Sequence, residues 1–405
     1  MRVVETITEV LAPCLLGLDR RIARTMVEVA EAAARVRQLS LTALGRALHS
    51  EAKAKHSIKR VDRLLGNAAV HRGIDGIYGL LSARLLAGAR QAVVLIDWTD
   101  AECEGFVALS ASLATGRGRA VILRHEVYPL RNQYDGRIER RFLSRLRSQL
   151  PAGLAVTVVS DAGFHINFFR AVRRLGWDFV GRLTRQMYLE RADQAGPMQR
   201  VDRLAFALAQ ITPRSLGPCL VTAAHRFRAH VVVVRQVKRG RHGSPHRTRK
   251  GTHPGAPAFK KHQRRGCEPW VLASSLEQSS ATHIVRLYEQ RMQIEQCFRD
   301  LKNARFGLAF EHARSRSAQR VAVLLLIATL VAFWAFTVGA AAEAQRLHRA
   351  LQANTVARRV LSRVVLALSL VSTGSPNQLS RAALRRAQRQ LQREIAGLHH
   401  ALGAS

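Results

Sequence analysis

Three carboxylates stand where phosphoryl-transfer chemistry would need them. The chain has only 28 acidic residues among 405, so each acidic position carries weight. Asp97 ends the apolar run Ala92–Ile96, and Asp161 follows Leu154–Val159 one residue on. Residues at the carboxyl ends of strands in α/β sheets project into the site crevice. Glu295 lies mid-helix, in a segment otherwise patterned to bury one side. Two strand-end aspartates and a helical glutamate suit two Mg²⁺ ions, which take oxygen ligands and leave positions for substrate phosphate. Two such ions about 4 Å apart stabilise both the attacking and the leaving oxygen of an in-line displacement. Plainer readings stay open here. Asp97 or Asp161 can be a turn former or a helix cap, Asp100 rivals Asp97, and a helical Glu is often the solvated partner of a cation.

The bulk composition narrows the substrate. With 64 Lys plus Arg, the formal charge is +36, which calls for a polyanion: nucleic acid first, an anionic membrane surface second. Arg dominates and gives bidentate phosphate contacts. A base composition that inflates Arg supplies part of the excess but not a 2:1 ratio of bases to acids. The hydrophobic share, 47%, excludes a wholly disordered chain, and the length suggests two or three structural units. Cysteines at 14, 103, 219, 267 and 297 are odd in number with no CxxC pair, and the sixteen His include no HExxH. That fits a reducing cytoplasm without a disulfide frame or zinc ribbon. Glu5, Glu9 and Asp19 make the start a poor signal peptide.

The elements that must position these groups read as follows. Residues 1–80 look helical. A helix over Leu41–Leu48 and a second over Ile58–Leu65, capped by Ser57 and stopped by Gly66-Asn67, suggest a helix-turn-helix. The second helix carries Lys59, Arg60 and Arg63 on one side; the alternative is a helical hairpin with a solvated basic face. Strands at Ala92–Ile96, Phe106–Leu113 and Ala120–Leu123, a helix at Arg137–Gln149, a strand at Leu154–Val159, a helix at Phe164–Leu175 and a strand at Phe179–Leu183 give a mixed α/β layout. Residues 186–270 interrupt it. Regular structure is expected at Val201–Gln210 and Leu220–Val234, then a flexible run from Arg235 to Arg265 with eleven Lys or Arg and no acid, suited to phosphate contact. A strand at Trp270–Leu276 and one helix from Ala281 to about Lys302 follow. Val321–Ala342 is uncharged and long enough to span a bilayer. Its Ala-rich composition, Thr329, Thr337 and Gly339 favour a buried core helix instead. Ser380–Leu402 carries a stripe of Leu384, Leu391, Ile395, Leu398 and Leu402, suited to packing on the body or on a second subunit.

Tyr288, Arg291, Glu295 and Lys302 spell Y-(2)-R-(3)-E-(6)-K without a gap. That signature resembles the insertion-sequence-four family of DDE transposases. KHSIKRVDRLLGN at 55–67, LIDWTD at 95–100, VVSDAGFH at 158–165, EPWVLASSL at 268–276 and RMQIEQCFRDLK at 291–302 are similar to the group around the transposase of transposon Tn-ten. The resemblance covers nearly the whole chain. It implies a cut-and-paste DNA transposase that cuts terminal inverted repeats through a hairpin intermediate and joins them to target DNA. The competing reading is a DNA-binding protein without catalysis. The implied fold is α/β, with an RNase H-like mixed-sheet catalytic core, a β-rich insertion, a helical N-terminal DNA-binding domain and a helical C-terminal region. The boundaries are 1–80 for end binding, 81–185 and 271–345 for the core, 186–270 for the insertion and 346–405 for dimerisation. Asp97, Asp161 and Glu295 match the metal-binding triad, holding two Mg²⁺ ions with Mn²⁺ as substitute. Tyr288, Arg291 and Lys302 match residues that contact the DNA end, on one face of a helix by i+3, i+4 and i+7 steps. Trp270 resembles the aromatic that stacks on a flipped base, worth ~1–3 kcal/mol, and Met292 stands where a residue probes the duplex. Further implications are a homodimer pairing two ends, a host DNA-bending protein as possible helper, no membrane, and a bacterial cytoplasmic, nucleoid-associated setting.

Overall fold

A computed structural model describes residues 2–101, 105–116, 118–193, 196–235, 269–304, 307–353, 355, 359–373 and 379–403. The basic run, from 236 to 265, lies outside the described residues, as do Cys103 and Cys267. The chain forms two compact units, Met1–Thr157 with Gln290–Ala404, and Val158–Glu289.

The first unit opens with helices α1 (Val3–Leu11), α2 (Arg20–Val36), α3 (Leu41–Ala47), α4 (Ala54–Leu65) and α5 (Ala68–Leu85). Side chains that accept from orphan backbone N–H groups set three of the starts: Asp19 for α2, Ser40 for α3 and Asn67 for α5. Ser57 is not a cap. Helix α4 begins three residues earlier, at Ala54, and Ser57 is buried inside it. Strands β1 (Gln91–Asp100), β2 (Phe106–Leu113) and β3 (Val121–Pro129) make an antiparallel meander, with Asp97 opposite Ser110 and Ser110 opposite His125. Asp135 caps the following α6 (Gly136–Gln149).

Strand β4 (Ala155–Ser160) begins in the first unit and ends in the second. The second unit continues with α7 (Ile166–Arg174), β5 (Asp178–Arg182), β6 (Tyr188–Arg191), β7 (Gln199–Arg200), α8 (Val201–Leu208), β8 (Arg214–Val221), β9 (Phe227–Val234), β10 (Trp270–Ser274) and α9 (Ala281–Glu289). Its strands run in the order β4-β5-β10-β9-β8-β6-β7. The apolar stretch expected over 220–234 is a hairpin of β8 and β9, with Val221 opposite Phe227.

The first unit resumes with α10 (Met292–Lys302), α11 (Ala318–Ala344), α12 (Arg363–Ser372) and α13 (Arg381–Gly403). The long uncharged segment is α11, and the protein interior buries it: α2, β3, α12 and α13 all pack on it. Its polar groups are satisfied inside. Thr329 and Thr337 hydroxyls donate to the carbonyls of Leu325 (2.8 Å) and Phe333 (3.1 Å), and Trp334 Nε1 donates to Thr6 Oγ1 at 3.1 Å. Gly339 lets α12 approach, since a Cβ there would stand 2.1 Å from the Arg363 carbonyl oxygen. On α13, Leu384, Leu391, Ile395 and Leu402 are buried within this unit, where α1, α5, α11 and β1 receive the helix.

Candidate active site

In the first unit the site grows from β1. The strand does not stop at Ile96 but runs through to Asp100, so Asp97 sits within it rather than after it. Side chains alternate across a strand. Ile96 and Trp98 therefore occupy the face opposite Asp97, and both are buried. Trp98 is held by edge contacts to Tyr128 (5.9 Å) and Tyr134 (6.1 Å), and its Nε1 donates to Glu139 at 3.1 Å. Burial pushes the Glu139 carboxyl up to about 7. This dry packing anchors the strand from behind and leaves the Asp97 face for polar chemistry.

The single helix expected over 281–302 is two helices. The first ends at Glu289 and the second begins at Met292, with Gln290 and Arg291 in the break. The boundary between the two units falls at the same place. Tyr288 thus lies in the last turn of one helix, Arg291 in the break, and Glu295 and Lys302 on the next helix, which corrects the expected common helical face. The break delivers Arg291 to the acids. One Nη lies 3.9 Å from Asp97 Oδ2 and the other 2.5 Å from Glu295 Oε1. Arg291 and Asp97 side chains are 15% and 14% exposed, while Glu295 is 40% exposed. Met292 is exposed, and Lys302 is half-buried in the last turn of α10.

That arrangement has the donor chemistry of a divalent-metal site. Two hard carboxylate oxygens converge on one guanidinium, which stands in for a cation, and oxygen-only ligation suits Mg²⁺ or Mn²⁺. Among the described residues no three His, Cys, Asp or Glu form a metal-holding group. Within the first unit the candidate ligands are therefore Asp97 and Glu295.

The second unit holds the other expected residues. Asp161 follows β4, and its Oδ1 accepts the Gly163 N–H at 2.8 Å, which closes an Asx-type turn. Trp270 opens β10 and is half-buried. Tyr288 is buried and meets Trp270 edge-on, with ring centroids 4.8 Å apart at 73°. The contact braces the indole from one side.

The three cations expected on the N-terminal helix α4 differ in surroundings. Lys59 Nζ lies 2.7 Å from Asp62, which Arg320 also holds at 2.6 Å. Arg60 pairs with Glu28 on α2, and Arg63 is exposed. Sequence reasoning missed four residues around the site. They are Glu139 under Trp98, and Gln293, Arg119 and Asp300 around α10. Gln293 accepts the Thr115 N–H at 2.9 Å, and Arg119 grips Asp300 at 2.9 and 3.3 Å. Their partners lie 178 and 181 residues away, so no local pattern marks them.

A family model described as a transposase DDE domain matches residues 88–334, more than half of the chain, a span that includes Asp97, Asp161 and Glu295. No curated protein matches the chain.

Proposed function

Since the chain belongs to the family of transposase DDE domains, we propose that it is a cut-and-paste transposase of the insertion-sequence-four type, close to that of transposon Tn-ten. Membership makes it a DNA transposase, an enzyme of strand cleavage and phosphoryl transfer. The finer reading rests on one observation: Arg291 lies between Asp97 and Glu295. A phosphate-binding fork beside two metal-type carboxylates is what a DNA backbone and a divalent cation require in the same place.

In this reading Asp97, Asp161 and Glu295 hold two Mg²⁺ ions, or Mn²⁺ in their stead, on an RNase H-like core. Bound there, the metal supplies Lewis-acid stabilisation of the attacking and leaving oxygens. The chain's own residues do the rest. Arg291 and Lys302 contact phosphates of the DNA end near the scissile bond. In the first cut a water oxygen bonds to phosphorus, the P–O3′ bond breaks, and the leaving oxygen takes a proton to become a 3′-hydroxyl. That hydroxyl bonds to the opposite strand's phosphorus and closes a hairpin as the P–O3′ bond to the flanking DNA breaks. Water then bonds to the hairpin phosphorus and frees the 3′-hydroxyl again. This hydroxyl bonds to a target phosphorus as the target's P–O3′ bond breaks. Each time the leaving oxygen takes up the proton that the attacking oxygen gives up. A tight hairpin strains the terminal bases. Trp270, braced by Tyr288, gives a flipped base an aromatic face, and exposed Met292 enters the space it leaves. Residues 1–80, with Lys59, Arg60 and Arg63, bind the terminal inverted repeats. Two copies pair two ends, with a host bending protein as possible helper, in a bacterial cytoplasm.

The test is a cleavage assay on DNA carrying both element ends, with the parent and Glu295→Gln compared in Mg²⁺ and in chelator. Hairpin-ended fragments that need both Mg²⁺ and Glu295 support the reading. Binding of the ends with no nicking in Mg²⁺ or Mn²⁺ overturns it in favour of a DNA-binding protein without catalysis.

A further inference from the structure

The helix that carries Glu295 has no obvious anchor at its start. No side chain caps α10, and the break at Gln290 and Arg291 uncouples it from the preceding helix. Two polar clasps to the connection between β2 and β3 hold it instead. At the first turn, Gln293 is 7% exposed. Its Oε1 accepts the Thr115 N–H at 2.9 Å, and its own carbonyl accepts the Ala120 N–H at 3.2 Å. Its Nε2 donates to Gln290 Oε1 at 2.6 Å, so the side chain also bridges back across the break. Two turns later, Asp300 takes both a 2.9 Å and a 3.3 Å bond from Arg119. Positions 293 and 300 lie seven residues apart and so share a helix face, with Glu295 between them in sequence. The connection is itself closed, since Thr115 Oγ1 donates to the Arg119 carbonyl at 2.5 Å.

The receiving connection is continuous with the frame of Asp97. Strand β2 places Ser110 opposite Asp97, and just past its end the Ala114 N–H bonds the Val93 carbonyl of β1 at 3.2 Å. A shift of α10 along this connection therefore changes the distance between the Asp97 and Glu295 carboxylates. Metal ligation tolerates little such error, because an ion held by few protein oxygens needs them close to their ideal positions.

We propose that Gln293 is a positioning residue for the metal site, seconded by the Arg119–Asp300 pair, and that together they set the separation of Glu295 from Asp97. The proposal rests on the reading of those two acids as metal ligands. Gln293 touches neither DNA nor metal in this role. It acts because a buried N–H left without an acceptor is costly, so the Thr115 amide and the Gln293 carboxamide remain locked together.

The experiment measures Mn²⁺ binding to the full-length free protein by electron paramagnetic resonance, with kcat and KM for end cleavage on the same samples. Gln293→Met keeps the length of the side chain and removes the acceptor. The expected result is Mn²⁺ binding weakened about tenfold and kcat lowered, with KM for DNA unchanged. Arg119→Ala and Asp300→Ala should act in the same direction, and the charge swap Arg119→Asp with Asp300→Arg should recover most of the Mn²⁺ affinity. A folded Gln293→Met with Mn²⁺ affinity within twofold of the parent overturns the proposal. If that variant does not fold, Asp300→Asn decides by the same criterion. A parent that neither binds Mn²⁺ nor cleaves refutes the metal-site reading itself, which is a different failure from unchanged binding in the variants.

Discussion

Replacing Arg291 by Gln is expected to tighten divalent-metal binding to the protein without DNA. The guanidinium sits 3.9 Å from Asp97 and 2.5 Å from Glu295, so an incoming cation must displace it from both. A unit pair near 4 Å is worth ~4 kcal/mol at an effective dielectric of about 20 and ~1 kcal/mol in water. The Asp97 arm is largely enclosed and lies between those limits. The Glu295 arm is 40% exposed and lies near the lower one. A displaced guanidinium also regains hydration, which offsets part of the loss. Net relief of about 1.4 kcal/mol corresponds to a tenfold gain in affinity. Titration of parent and Arg291→Gln with Mn²⁺, followed calorimetrically at fixed ionic strength, reads that gain directly. The same variant should bind DNA ends more weakly, with a salt slope reduced by about 1. Unchanged or weaker Mn²⁺ affinity in a folded Arg291→Gln would refute the competition between guanidinium and metal.

Glu139 gives a stability signature. Its carboxyl is raised from 4.5 to about 7, so the folded state keeps a proton that the unfolded chain releases between those values. Stability from this group therefore falls as pH rises from about 4.5 to 7. Glu139→Gln keeps an acceptor for Trp98 and cannot ionise. Urea unfolding should find it more stable than the parent at pH 8, by up to ~3 kcal/mol, and equal near pH 4.5; an identical difference at both pH values contradicts this account. Gly307→Ala places a Cβ 1.7 Å from the Asp300 carbonyl oxygen, a backbone atom of α10. Thermal unfolding should register a loss of about 1–3 kcal/mol, and an unshifted midpoint would mean that this loop yields freely. Arg363 is buried and bonds Glu343 at 2.8 Å and Glu394 at 2.9 and 3.2 Å. Arg363→Met leaves Glu343 to Arg359 (2.9 Å) and Glu394 to Gln390 (3.0 Å) and should cost about 1–3 kcal/mol in denaturant titration, whereas a neutral effect would show that these remaining partners and water suffice.

Local chemistry foretold much of this fold. The strand at Phe106–Leu113 was legible as an apolar run, and Asn67 ends one helix zone and caps the next because its side chain bonds two amides. The acids were legible as types because acids are scarce. Their exact settings were not. Asp97 falls inside its strand because the strand continues through polar Thr99 and Asp100, which an apolar-run criterion passes over. The break before Met292 has no local cause, since Gln and Arg are good helix formers; it coincides with the unit boundary and with the reach of Arg291 to Asp97. Arg60 reads as a free cation until Glu28, 32 residues upstream, is brought beside it by helix packing. Composition alone cannot separate a spanning helix from a core helix, and only the elements that cover α11 decide.

Those covering elements have an order in time as well as in space. Helices α12 and α13 lie beyond α11 in the chain and are therefore made after it. At synthesis rates of about 5–20 residues per second, the stretch from 344 to 403 takes roughly 3–12 s. During that interval a segment long and apolar enough for a bilayer lacks its C-terminal cover. A ribosome that stops or shifts frame after residue 344 releases a chain in which that surface is never covered. Residues 345–403 thus complete the burial of a helix that, left uncovered, has the length and hydropathy of a bilayer span.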